Sequence, residues 1–300
     1  MALLLGRAHR IGKGTAAVDT NPTRMKIILS RKGFDSSVGG CASPILPDGK
    51  MLSLPIPTSV DVLAYGEIRA PDGETCADLI QHLLGSRCAV LSKRAHLDPD
   101  LLAGARPRKP RWRGALGQIG AAAGHLKNQQ VGPGDLFLFY GWFRPTERVN
   151  GKLQFLSGNA GFHAIFGYLE VEQVITAPTL SGLPPWLRDH PHAIDARLRK
   201  PTNTLYVAGD TFSGNRSMPG WGTFRFGERL MLSHPLMSRS RWRLDRALFE
   251  HLEISYHAAS AWREGYFQSY PRAQEYVITA DAAARRWAHR LIIGSKRWTL

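Results

Sequence analysis

Short apolar runs separated by turn residues dominate the chain and predict more strand than helix. The runs at 25–30 and 136–140 are almost wholly aliphatic and aromatic, which is typical of strands covered on both faces. Further strands are predicted over 162–175, 203–208 and 229–233. Between these runs, glycine and proline predict turns, including a hairpin around Asp48-Gly49.

Three segments favour helices instead. Over 74–84 the apolar side chains fall on one face, and a second helix, rich in small residues, is predicted over 115–127. A third is predicted to run to residue 293, with Thr279 as its N-cap and Asp281 in its first turn. Because these helices do not alternate regularly with the strands, the pattern predicts an α+β fold with a mixed, mostly antiparallel sheet.

The N-terminal residues 1–24 lack this patterning. The apolar pattern begins at Met25, so we expect a flexible arm over 1–24 and a single domain over 25–300. With 43% hydrophobic residues among 300, that domain has enough apolar side chains for a sizeable core. Apolar runs fall short of the ~20 residues of a membrane span, and the three cysteines are too few and too scattered for a disulfide framework. These features favour the reducing cytoplasm.

Positive charge is the strongest global signal. The chain has 39 Lys and Arg residues against 24 Asp and Glu residues, a net charge of +15, and the excess is spread along the sequence. Such an excess attracts polyanions, so we expect a DNA or nucleotide partner and no membrane partner. The alternative is that these charges only solvate the surface.

Cations and aromatic residues follow two of the predicted strands. Arg31, Lys32 and Asp35 come directly after the first strand, where two cations can hold a phosphate, although the Walker spacing is absent. Trp142 and Arg144 follow the aromatic strand at 136–140, and together they suit base stacking with a phosphate contact. The alternatives are a Lys–Asp surface pair in the first case and a core position for Trp142 in the second.

An imidazole and two carboxylates stand at alternate positions in His96-Leu97-Asp98-Pro99-Asp100. In extended chain these three side chains face one side, so His96, Asp98 and Asp100 are a candidate site for Mg²⁺, Mn²⁺ or Fe²⁺. His96 acting as a general base oriented by Asp98 is a variant of this hypothesis, and we take both as candidate catalytic residues. The alternative is a turn in which Asp100 caps a short helix.

Two further groups of polar residues are weaker candidates. Gln118 and His125 stand seven residues apart on the predicted second helix, hence on one face, where they would suit a base edge; close helix packing is the alternative. The two histidines of His190-Pro191-His192 are more typical of a loop than of a metal pair. A combined site of His96, Asp98 and His190 nevertheless stays open.

Two resemblances add expectations about fold and context. The Gly-Asp turn at 134–135, the aromatic strand after it and the strand that contains Phe166-Gly167-Tyr168-Leu169 resemble the β-barrel of PUA, ASCH and EVE domains. That likeness implies a PUA-like barrel with flanking helices as the alternative to an open sheet. It also implies a base pocket near Trp142 and Arg144.

The second resemblance spans residues 25–293. Its motifs are Ser30-Arg31-Lys32-Gly33-Phe34-Asp35, Ser43-Pro44-Ile45, Ser53-Leu54-Pro55-Ile56-Pro57, His96-Leu97-Asp98-Pro99-Asp100, Gly141-Trp142-Phe143-Arg144 and Gln274-Glu275-Tyr276-Val277. Together they resemble the nucleotide modification-associated domain 3 family. The resemblance implies bacterial or phage systems that hypermodify DNA bases, with other DNA-modification enzymes as possible partners. It implies a context and no particular reaction.

Three hypotheses about function follow. The first is a module that binds modified bases or nucleotides, and the second is an enzyme of nucleotide modification with a phosphate site at Arg31 and Lys32 and chemistry near His96 and Asp98. The third is a structural protein of a larger assembly. The sequence lacks the motifs of α/β-hydrolases, Rossmann enzymes and zinc deaminases, which argues against those enzyme classes.

Overall fold

The computed structural model describes residues 25–70, 73–270 and 275–298. The predicted arm over 1–24 lies outside the described residues. Fifteen strands are β1 Lys26–Arg31, β2 Ser43–Ile45, β3 Ile56–Thr58, β4 Arg94–His96, β5 Ala115–Gln118, β6 Leu136–Val149, β7 Lys152–Phe155, β8 Phe162–Thr176, β9 Thr204–Ala208, β10 Trp221–Phe224, β11 Arg241–Trp242, β12 Trp262–Arg263, β13 Tyr266–Gln268, β14 Glu275–Thr279 and β15 Arg297–Trp298. The α-helices are α1 Cys76–Leu84, α2 Gly120–Asn128, α3 Asp195–Leu198, α4 Arg246–Phe249 and α5 Ala282–Gly294.

A ten-stranded mixed sheet organises the molecule, with its main path in the order β14-β1-β6-β8-β10-β15. Strands β1 and β2 run parallel to β6, and the remaining pairs are antiparallel. The apolar runs of β1 and β6 are buried, which explains why these two strands occupy the middle of the sheet. The predicted α+β fold with a mostly antiparallel sheet is confirmed.

The sheet is open and is not the closed barrel that the second fold alternative implied. β6 pairs with β8, as the PUA-like pattern requires, but β14 and β15 end the main path without pairing with each other in the described part of the chain. Small sheets of β11-β13-β12 and β3-β4 stand beside it. Within the described residues, no helix is long and apolar enough to cross a membrane.

The helix predicted over 115–127 begins later in the structure, at Gly120. The first four residues of that range form strand β5, which is buried and pairs with β9, and the helix begins only at Gly120, whose φ is +60°. A positive φ cannot continue a right-handed helix, so it separates the two elements. Gln118 therefore lies on a strand and does not share a helix face with His125. The prediction relied on helical periodicity and on small residues, and both patterns also fit a strand that is buried on both faces, as β5 is.

Two smaller differences concern element ends. The strand predicted over 229–233 starts as a turn of 3₁₀ helix, Glu228–Leu230, followed by isolated bridges. The last helix is capped by Asp281, whose carboxylate accepts from Ala284 N, and not by Thr279, which ends β14. Asp281 lies two residues closer to the helix, within reach of its unpaired amides.

The arrangement of β1 and β6 prepares the candidate site. The two strands are parallel, and β1 ends at Arg31 opposite Tyr140, from which the longer β6 continues to Val149. Directly before Tyr140, the pairing between β6 and β8 shifts by one residue at a β-bulge. Bulges re-aim side chains beside functional sites, and here the bulge lies where β6 reaches a deep cavity.

Candidate functional site

A cavity of about 790 Å³ opens at the carboxyl end of β1. Its walls come from the loop after β1, from β3, β4, β5, β6 and β8, and from the loop before β11. The residues used below that line it are Arg31, Lys32, Asp35, His96, Asp98, Gly117, Gln118, Tyr140, Trp142, His163, His192, Arg239 and Tyr270. The volume is within the range of ligand pockets, ~300–1,000 Å³. Candidates from four separate sequence segments therefore meet in one place.

His96, Asp98 and His192 form a cluster in this cavity that could hold a metal ion. One ligand atom from each residue lies within 4.8 Å of the others. The His96 Nε2 and Asp98 Oδ2 atoms are 3.9 Å apart. Two imidazoles and one carboxylate are a donor set used for divalent transition metals, and three protein ligands leave further coordination positions open.

Each histidine of the cluster is oriented by an acceptor behind it. His96 Nδ1 lies 2.9 Å from Asp61 Oδ2, and Asp61 also forms a buried pair with the Arg197 guanidinium. His192 Nδ1 lies 2.8 Å from Asn203 Oδ1, while the Asn203 amide group donates to the His192 carbonyl and so fixes the orientation of the amide. With Nδ1–H donated backwards in both rings, both Nε2 lone pairs are available for a metal.

The third member, Asp98, is held by its other oxygen. Asp98 Oδ1 accepts a hydrogen bond from Gly117 N at 2.8 Å and lies 3.3 Å from His190 Nε2. Burial alone would raise the pKa of Asp98, but the contact with His190 and the neighbouring histidines lower it well below the usual range. Asp98 is therefore an anion, and its Oδ2 atom faces the cluster.

A glycine in β5 makes room for His192. A Cβ atom at Gly117 would lie 2.1 Å from Cγ of the His192 ring, far inside van der Waals contact. The ring can therefore pack directly against the backbone of β5. Burial and, to a smaller extent, the neighbouring His190 and His96 together lower the pKa of His192 to about 3, although Asp98 opposes this shift. The imidazole is consequently neutral, as a metal ligand must be.

The loop after β1 and the loop before β11 bring positive charge into the cavity. Burial lowers the pKa of Arg239, Asp35 opposes that shift, and the positive charge of Arg31 adds to it. Asp35 partly balances the two arginines; its Oδ1 atom accepts hydrogen bonds from Ser37 and Val38. Two guanidinium groups beside one carboxylate leave a net positive region that suits an anionic ligand.

Lys32 has a different environment from Arg31. Its ammonium lies 3.0 Å from Oε1 of the buried Glu275, and Gln118 Nε2 donates to the same oxygen at 2.5 Å. Burial raises the pKa of Glu275, while Lys32 opposes that shift. Glu275 thereby connects the end of β1 to β5, next to the segment that holds Asp98. Lys32 and Gln118 thus build the cavity floor as well as line it.

Aromatic side chains complete the cavity. Trp142 is half-buried, donates from Nε1 to Ala160 O at 3.0 Å, and has the Arg239 guanidinium 3.9 Å from its ring centre. Tyr140 and His163 lie deeper, with ring centres 5.5 Å apart, and Tyr270 stands exposed at the edge. A flat π surface under a guanidinium suits the stacking of a planar ring.

Three of the candidates do not line the cavity. Both oxygens of Asp100 accept hydrogen bonds from Arg108 at 2.6 Å, so its carboxylate is already engaged. His125 Nε2 is 3.0 Å from Ser255 Oγ, and its ring stacks on Tyr256.

Arg144, the third, lies over the Phe155 ring at 4.4 Å. His190, which the open combined site included, contacts Asp98 from behind, and His192 takes the place beside His96.

Sequence reasoning missed five residues of the site. His192 stood out only as part of a loop pair, and Arg239 was only one contributor to the positive charge spread along the sequence. Asp61 and Asn203 stand in segments without any motif, and only the folded structure brings them to the histidine rings. Glu275 fell within a motif of the family resemblance, but its burial beside Lys32 had no local signal.

The fold and this site define an α+β protein with a deep cavity that combines a His/Asp cluster, arginines and aromatic rings. Residues 26–279 match the nucleotide modification associated domain 3 family. Because the match covers most of the chain, the protein belongs to that family, which confirms the resemblance seen in its motifs. The family description associates the protein with nucleotide modification. Neither the curated proteins nor the solved structures compared with the chain gave a match.

Proposed function

We propose that this protein is a metal-dependent enzyme of nucleotide modification that acts on a nucleotide unit bound in the cavity. The observation that carries the proposal is the convergence of one ligand atom from each of His96, Asp98 and His192 inside that cavity. A divalent metal bound there would supply Lewis-acid activation of water or of a substrate oxygen. The cluster differs from a structural zinc site, because such a site has four protein ligands and the described residues provide three here.

The rest of the cavity supports a nucleotide as the substrate. Arg31 and Arg239 provide charge for a phosphate, and Trp142 provides a face on which a base can stack. Phosphate and base recognition thus lie in the same cavity as the cluster, which is the arrangement that chemistry on a nucleotide requires.

A recognition module without chemistry remains the second candidate, since the same arginine and aromatic residues would bind a modified base. It gives no role to the paired acceptors Asp61 and Asn203, which orient both imidazoles in the manner of metal ligands. The oriented histidines therefore favour the enzyme. DNA as the polymer and other modification enzymes as partners stay predictions.

Metal binding tests the proposal directly. Purified protein would be stripped with chelator and titrated separately with Mn²⁺, Fe²⁺ and Zn²⁺ by calorimetry, with the bound metal quantified by mass spectrometry. We expect one ion per chain, lost in His96→Ala and in His192→Ala. His251→Ala is the matched control, because that exposed histidine contacts only Asp281.

Binding of deoxynucleoside monophosphates to the metal-loaded protein is the second measurement. We expect binding in the wild type and in His251→Ala. Loss of the metal in His251→Ala as well, or unchanged metal content in both cluster variants, would contradict the metal site. Nucleotide binding with no metal at all would support the recognition module instead.

A further inference from the structure

One apolar side chain beside the cavity is far more exposed than its chemistry favours. Leu236 has 91% of its surface exposed, more than any other large hydrophobic side chain among the described residues. It lies in the segment 234–240, whose last three residues, Ser238, Arg239 and Ser240, line the cavity. An isolated exposed leucine needs no explanation on its own. The position of this one, two residues from the cavity lining, requires one.

Hydrogen bonds hold the segment 234–240 in a compact double turn. His234 N donates to Arg241 O at 2.7 Å, closing the segment at its base, and Arg241 N donates to Ser238 O at 2.9 Å. Ser233 Oγ and Trp242 Nε1 both donate to the carbonyl of Arg239. Trp242 is itself fully buried, so the base of the segment is anchored in the core. Leu236 therefore lies in a loop whose conformation is fixed by hydrogen bonds.

Positive charge flanks this leucine. Arg239 and Arg241 follow it, and neither forms an ion pair with a carboxylate among the described residues. The Arg241 guanidinium lies 5.0 Å from the Tyr266 ring centre, on the exposed face of β11. An exposed apolar side chain in a segment that also carries cationic groups is the arrangement with which proteins enter a base stack while holding the phosphates.

We propose that Leu236 is a wedge that enters the base stack of a nucleic-acid duplex, while the cavity receives the nucleotide that leaves the stack. The inference rests on the proposed function, because the extruded nucleotide would occupy the same cavity. It makes the substrate a base within a polymer and not a free nucleotide. A base inside a duplex cannot reach a buried metal cluster, so extrusion is the step that chemistry in this cavity requires.

Fluorescence of 2-aminopurine measures the proposed step, because this base brightens when it leaves the stack. The metal-loaded protein would be added to duplexes that carry 2-aminopurine opposite a mismatch, one duplex of DNA and one of RNA. We expect a severalfold rise in fluorescence with at least one of them, and the responding duplex identifies the polymer. In Leu236→Ala most of the rise should be lost, while duplex affinity, measured by anisotropy, stays within about threefold, since the phosphate contacts remain.

Leu180→Ala is the matched control, because Leu180 is also exposed, at 46%, but does not line the cavity. It should behave as the wild type. A full fluorescence rise in Leu236→Ala, or no rise with either duplex, would overturn the wedge. In that case metal binding and monophosphate binding would still stand as tests of the proposed function. Absence of the metal would instead reject the proposed enzyme, whatever the fluorescence shows.

Discussion

Two regions of the cavity are built in opposite ways. In the cluster of His96, Asp98 and His192, the ring nitrogens and carboxylate oxygens that face away from the centre contact a partner in the surrounding protein. At the mouth, Trp142 and Arg239 are half-buried; the Arg239 guanidinium lies over the Trp142 ring, and Trp142 donates to a nearby carbonyl. The first region is fixed before any ligand arrives, whereas the second keeps surface for a ligand to cover.

The contrast separates chemistry from binding. Metal ligands need fixed tautomers and directions, which only buried acceptors such as Asp61 and Asn203 can impose. Base and phosphate recognition needs accessible π surface and charge, which burial would remove. If this division is correct, variants of the first region should affect the metal, and variants of the second should affect only the nucleotide.

The largest effect is expected from Gly117→Ala. The added methyl group would overlap the His192 ring, displace it from the cluster and abolish metal binding, at a cost of ~1–3 kcal/mol in stability. Calorimetric titration with Mn²⁺ measures the first effect and chemical denaturation the second. Gly124→Ala is the control, since a Cβ atom there meets open space. Wild-type metal affinity in Gly117→Ala would show that His192 is not a ligand.

Asn203→Ala should have a smaller effect on the same region. Without the acceptor at His192 Nδ1, the ring loses its fixed tautomer, and metal affinity should fall by ~10–100-fold while one ion still binds at saturation. Competition with a fluorescent chelator gives the affinity. The control is Asn215→Ala, because the side-chain oxygen of Asn215 accepts from Ser217 in a turn that does not line the cavity. An unchanged affinity would mean that Asn203 serves only to hold the loop.

The second region is tested by Arg239→Gln. We expect the affinity for deoxynucleoside monophosphates to fall by about tenfold or more, because a hydrogen bond to a charged group contributes ~1.5–3 kcal/mol. Metal affinity should not change. Arg246→Gln removes an equal charge from an exposed pair with Glu250 and should leave both constants unaltered. If metal affinity fell in Arg239→Gln as well, the two regions would not be separable.

The smallest expected effect is a pH dependence of the free energy of unfolding. It comes from His163, which lines the same cavity. Burial, with the charges of Arg239 and Arg31, lowers the pKa of His163 to about 3 from the ordinary 6.5. The unfolded chain therefore binds a proton that the folded one does not, so stability falls as pH drops from 6.5 toward 3, by ~1.4 kcal/mol per pH unit for this group.

His163→Gln removes this titratable group, so stability should fall less steeply as the pH drops. The fold should be retained, because the glutamine amide oxygen can still accept the hydrogen bond from Trp242 Nε1. Denaturant unfolding at pH 7 and pH 5 measures the difference. The exposed His251→Gln should retain the wild-type slope. An equal slope in His163→Gln and the wild type would show that His163 is protonated in the folded protein.

The fold was predictable where apolar runs were long. The runs at 25–30, 136–140 and 162–175 became β1, β6 and β8, because predominantly apolar segments between turn signals have few alternatives to a buried strand. Residues 115–118 were not predictable in the same way, since small residues pack equally well in helix and sheet. Only the pairing with β9 decides between them.

The site was predictable one segment at a time. Arg31 and Trp142 stood out because they follow predicted strands, and Asp98 because it alternates with His96 and Asp100 in extended chain; all three line the cavity. The second histidine of the cluster was not predictable, because the choice between His190 and His192 depends on which ring packs over Gly117. Asp61 and Asn203 act through contacts across 35 and 11 residues of chain, which no local pattern encodes.

The pairing of Lys32 with Glu275 has a consequence for the protein's synthesis. These residues are 243 positions apart, yet β1 and β14 are neighbours in the sheet. A growing chain presents β1 to the ribosome exit long before β14 exists, so Lys32 and Gln118 await their shared carboxylate until β14 has been made. The cavity floor therefore assembles only after β14 has left the ribosome.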